Sequence, residues 1–76
     1  MSQTFSPEEI HRNLLSRIPR CTGREVSDWL RTVADGPSFH RPEDTASWLR
    51  REHHLAYGHA KALAREYELR RAAHTL

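Results

Sequence analysis

The feature that most narrows the fold is a helix start written out in full near the amino terminus, Ser6-Pro7-Glu8-Glu9. Serine supplies an N-cap oxygen, proline takes the first helical position where its missing N–H costs nothing, and Glu9 completes a capping box. Phe5 and Ile10 flank the cap at the spacing of a hydrophobic staple. Thr22-Gly23-Arg24-Glu25 reads as a second start of the same kind, with Cys21 and Val26 as its staple pair. These signals predict helices over about residues 7–18 and about 23–34.

The apolar spacing agrees with that reading. Ile10, Leu14 and Ile18 fall on one stripe of the first helix, and Pro19 is expected to stop it. Val26, Trp29, Leu30 and Val33 form a single buried face on the second. Asp35-Gly36-Pro37 is expected to end that helix through a left-handed glycine, with Phe39 folding back from the loop. Pro42 followed by Glu43 and Asp44 suits a third helix start, with Trp48, Leu49 and Thr45 facing inward and an end near His53. After a break at His54-Leu55-Ala56, Gly58 is expected to open a fourth helix carrying Ala60, Leu63, Ala64 and Tyr67 inward and fraying over 70–76. No segment alternates with the period of a strand. The expected fold is all-α, a compact bundle of about four short helices.

Length limits what such a bundle can hold. Seventy-six residues make one domain, 1–76, with flexible ends expected over 1–5 and 71–76, and bury about 60% of the surface the unfolded chain exposes. That suffices for a small core but not for a core plus a roomy catalytic cavity. No apolar run approaches the ~20 residues of a membrane span, and the polar start lacks a signal-peptide core. The single Cys21 cannot form an internal disulfide, so a reducing cytoplasm is expected. Twelve basic and ten acidic side chains are interleaved, and all the bases except Lys61 are arginine. That bias fits either guanidinium recognition of anions or plain codon composition, and the second carries more weight.

Two segments also resemble a known family. Thr22-Gly23 with Trp29 is similar to the T-G-x-x-x-x-x-W element of a small bacterial domain-of-unknown-function family, and the run from Trp48 to Leu63 resembles its second element, W-L-K-x-E-H-G-L-G-H-G-H-A-N-A-L. The departures lie in the turn before the last helix: His54 and Ala56 stand where the family has glycine, and Tyr57 where it has histidine. Histidine tolerates the left-handed conformation well enough to end the third helix at His54. The resemblance supports the fold and carries no activity with it.

The densest polar cluster runs from His53 to Lys61. A helix opening at Gly58 presents backbone N–H groups, and Arg50, Arg51, His59 and Lys61 could surround an anion there. The turn is similar to helix-hairpin-helix modules, although its second glycine is missing; a solvated turn is the favoured reading. His53, His54 and His59 lack the ligand number and spacing of a zinc site, so no metal or other cofactor is expected, and one of them suits a helix end. Cys21 ahead of a helix start could be a nucleophile, but nothing positions His11 or His40 as its base, so no catalytic residue is assigned and enzyme activity is not expected. Trp29 and Trp48 lie beside leucines and are expected to share the interior, leaving Tyr57 as the surface aromatic of the turn.

Apolar residues off the core stripes remain: Leu15, and Ala62, Leu69 and Ala73 on the last helix. A helix with two apolar faces packs on a partner as well as on its own core. The leading expectation is therefore a cytoplasmic, non-enzymatic adaptor that binds another protein or a copy of itself, without membrane contact. The alternative is a nucleic-acid-binding module using Arg50, Arg51, Gly58, His59 and Lys61 on phosphates.

Overall fold

The computed structural model describes residues 6–74. Four helices follow one another, α1 (Pro7–Thr22), α2 (Val26–Asp35), α3 (Pro42–His53) and α4 (Tyr57–His74), with no strand among the described residues. α4 is the hub: it packs against α3 most extensively and against α1 and α2 on other sides. Ile18, Leu49 and Leu63, one each from α1, α3 and α4, are completely buried and centre the core. Trp29, Val33, Ala46, Leu55, Ala60 and Ala64 close around them.

α1 begins as its sequence dictates: the Ser6 hydroxyl accepts the Glu9 N–H at 3.2 Å. Phe5, half of the expected staple, lies outside the described residues, as do the other residues of 1–5 and 75–76. The end of α1 differs from expectation. The helix passes through Pro19 and stops at Thr22, because Gly23 takes the left-handed conformation (φ 76°, ψ 7°) and returns its N–H to the Pro19 carbonyl at 2.9 Å. Thr22-Gly23 therefore closes α1 and does not open α2, whose N-cap is Glu25 without a side-chain bond. Cys21 is consequently exposed in the last turn of α1 and is no staple partner. The buried face of α1 is also turned by one residue. His11 and Ile18 are inside and Leu15 packs on the core, whereas Ile10 is half exposed.

The Thr22 hydroxyl ties the first two helices together. It donates to the Ile18 carbonyl at 2.7 Å and accepts from the Arg24 N–H at 3.3 Å and the Trp29 indole N–H at 3.0 Å. Trp29 is 5% exposed, so its N–H has little access to water. Thr22→Val keeps the shape and strips the acceptor; it is expected to cost about 1–3 kcal/mol in chemical denaturation, with Thr22→Ser recovering most of the loss.

Gly36 ends α2 for a reason other than the one expected. Its backbone is extended (φ −82°, ψ −171°), and what it provides is space. A Cβ at this position would lie 2.6 Å from Cη2 of Trp48. Trp48 is half-buried, tilted against Phe39 at 6.3 Å between ring centroids. His53 stands edge-on to Trp48 and Trp29 at 5.0 and 5.5 Å, so both indoles meet across one imidazole. α3 has the expected bounds, and His54 ends it in the left-handed conformation (φ 55°, ψ 33°).

Candidate functional site

The turn between α3 and α4 and the outer side of α4 form one continuous surface. Leu55 is buried and plugs the turn into the core. Two residues later the chain enters α4 with the Tyr57 ring 58% exposed. The Arg50 guanidinium lies 5.2 Å and the Lys61 ammonium 5.9 Å from the centroid of that ring. Cations over a phenol face are held by the ring quadrupole, worth about 0.5–1 kcal/mol each when exposed. Tyr57 thus gathers two of the five residues expected to meet phosphate. Arg51 lines an adjoining concavity together with Arg50, Ser47 and His54. Gly58 faces α1, where a Cβ would come within 3.6 Å of Leu14, and His59 is half-buried.

Beyond Tyr57 the surface continues as a groove of about 460 Å³. Pro42 and Glu43 at the start of α3 form one wall; Tyr57, Lys61, Ala64, Arg65, Glu68, Leu69 and Ala72 line it from α4. Its lining is mainly apolar, and Leu69 is half exposed. The expected interface residues divide here. Leu69 and Ala73 are exposed, but Ala62 is 4% exposed at the seam between α4 and α1, and Leu15 packs on the core. The fold consumes those two. The free apolar surface is carried by Tyr57 and Leu69; Tyr57 lies about 140° around the helix from Ala62, whereas Leu69, two turns further along, shares its side.

One polar cluster escaped the sequence reading. His11 Nε2 lies 3.0 Å from Glu66 Oε1, and Glu66 Oε2 accepts from Arg70 Nε at 2.7 Å. This chain links α1 to α4 across the hub. The signal was His11 standing one helical turn before Leu14 and two before Ile18, a core register for a polar residue. Burial pushes the Glu66 carboxyl up, but hydrogen bonds from His11 and Arg70 and their charges outweigh it and hold the group below its ordinary 4.5. A lowered folded pKa adds stability that is present above 4.5 and lost as pH falls through the folded value. Thermal melts of wild type and Glu66→Gln should therefore differ most at neutral pH and converge below pH 4.5. A gap unchanged at acid pH contradicts this role.

Among the described residues, no three His, Cys, Asp or Glu side chains come together as a metal site, and no helix is long and apolar enough to cross a membrane. Cys21, at the carboxyl end of α1, does not have the helix start that a nucleophile reading needs.

Residues 10–68 match the family model described as Domain of unknown function (DUF4287). No curated protein and no solved structure matches the chain.

Proposed function

The chain belongs to this family of unknown function, and from that premise we propose that it is a small non-enzymatic binding module working through protein contact on the outer side of α4. The observation that carries this reading is the groove beside α4, mainly apolar, with Tyr57 and Leu69 exposed along it. Both are large side chains held out of the core, as Ile10 is on α1, and both sit on the helix that the other three brace. Such a rigid, half-apolar strip suits a partner helix seated by its side chains. The lone exposed cysteine agrees with a cytoplasmic setting.

Site-specific crosslinking tests the reading. A benzophenone amino acid replacing Leu69 should give discrete protein adducts in living cells, and the same probe replacing exposed Arg17 on α1 should give none. Loss of those adducts on Tyr57→Ser ties them to the groove. No adduct at position 69 refutes the reading.

A second reading, contact with nucleic acid, is favoured by one observation: Tyr57 is an exposed ring flanked by Arg50 and Lys61. Stacking of a base on the phenol with both cations on phosphates would need that arrangement. It predicts oligonucleotide binding that weakens steeply with salt and falls on Lys61→Gln and Arg50→Gln whatever the base sequence. No measurable affinity at low salt contradicts it.

A further inference from the structure

We propose that the occupant of the α4 groove is a second copy of this chain, docked antiparallel about a two-fold axis between Ala64 and Arg65; this rests on α4 being a protein-contact face. The argument lies in the order of side chains along the helix. At 100° per residue, Tyr57, Lys61, Glu68 and Ala72 fall within about 60° of one another, with Ala64 and Arg65 on the two flanks. These six line the groove together. Reversing the helix about the point midway between Ala64 and Arg65 exchanges Tyr57 with Ala72, Lys61 with Glu68, and Ala64 with Arg65.

Two of the three exchanges are complementary: the largest side chain of the strip meets a small one, and the ammonium meets the carboxylate. At the axis the Arg65 stem comes over Ala64, which is 1% exposed and covered by its own chain, so that exchange adds no matched contact. A two-fold axis makes every contact twice, so a strip that maps onto its own complement is what an isologous interface requires. A parallel arrangement would instead set Lys61 on Lys61 and Glu68 on Glu68. The strip spans about 22 Å of helix, enough for four turns of contact. Among the described residues Lys61 and Glu68 form no ion pair with each other. They are seven residues and about 10 Å apart along the axis; Lys61 rests near Tyr57, and Glu68 has Arg71 at 4.0 Å.

Sedimentation equilibrium from about 1 μM to about 1 mM tests the proposal, because weak small interfaces populate in that range. The wild-type mass should rise toward two protomers. Lys61→Glu turns both attractive pairs of the dimer repulsive, as does Glu68→Lys, and each should raise the dissociation constant about tenfold. Lys61→Glu combined with Glu68→Lys restores the pairing in this register alone and should return the constant to within about threefold of wild type. Circular dichroism of the variants verifies that the fold is kept. A protomer mass at every concentration overturns the second copy, and so does a dimer that ignores the charge reversals or is not rescued by the double variant. The parent reading fails separately: adducts at position 69 to a different protein keep it while this proposal falls, and the absence of any adduct removes both.

Discussion

Leu63→Ala is expected to lower the unfolding free energy by about 2–5 kcal/mol, the range for a buried leucine whose cavity the surroundings only partly fill. Leu63 is 0% exposed and sits on the helix against which each of the others packs most extensively. Ile18 and Leu49 reach the same centre from α1 and α3, so the void has rigid walls of helix on several sides. A domain of 76 residues has about 4–11 kcal/mol of stability in all. The substitution therefore removes a large part of it and leaves a measurable unfolded fraction near physiological temperature. Urea denaturation followed by circular dichroism should show the midpoint falling with little change in slope. Leu69→Ala, six residues along the same helix but half exposed, should stay within about 0.5 kcal/mol of wild type. Equal losses at the two positions would mean that the inner and outer sides of α4 are wrongly assigned.

Gly36→Ala is expected to cost about 1–3 kcal/mol through overpacking. The new methyl would lie 2.6, 2.9 and 3.2 Å from three atoms of the Trp48 ring. An indole cannot bend, and this one is bounded by Phe39 on one side and His53 on another, so relief requires moving the ring as a body. Trp48→Leu removes the opposing ring atoms at a cost of its own. In that background the added penalty of Gly36→Ala should fall below half of its wild-type value, a coupling that a double-mutant cycle measures. A penalty that persists undiminished would trace the role of Gly36 to its backbone rather than to the indole.

How much of this was legible in the sequence differs from element to element. α3 could be bounded on both sides because its signals are local: Pro42 cannot follow a helical turn, and His54 accepts the left-handed stop. The end of α1 could not, since a Thr-Gly pair reads equally as a start or a stop and Pro19 reads as a stop. Only the packing of Ile18 and the Thr22 bond to Trp29 decide between them. Likewise the inward turn of His11 depends on Glu66, 55 residues away in sequence.

The candidate site was half visible. Tyr57 could be placed on the surface from its polar neighbours, and Leu69 and Ala73 from their distance off the core stripe. Ala62 and Leu15 were misassigned because α4 is braced by three helices and carries apolar residues on several sides. A helix surrounded in this way loses the single stripe from which a free face can be deduced. The matching of Lys61 with Glu68 gains meaning only once both are known to line the same groove.

The most direct measurement on the central claim is a dilution series of amide spectra from isotope-labelled protein. Docking of α4 on its counterpart predicts concentration-dependent shifts gathered at Tyr57, Lys61, Glu68 and Ala72 and absent from the exposed side of α1 at Asn13 and Arg17. Spectra that superimpose at every concentration, or shifts that gather on α1 instead, contradict it.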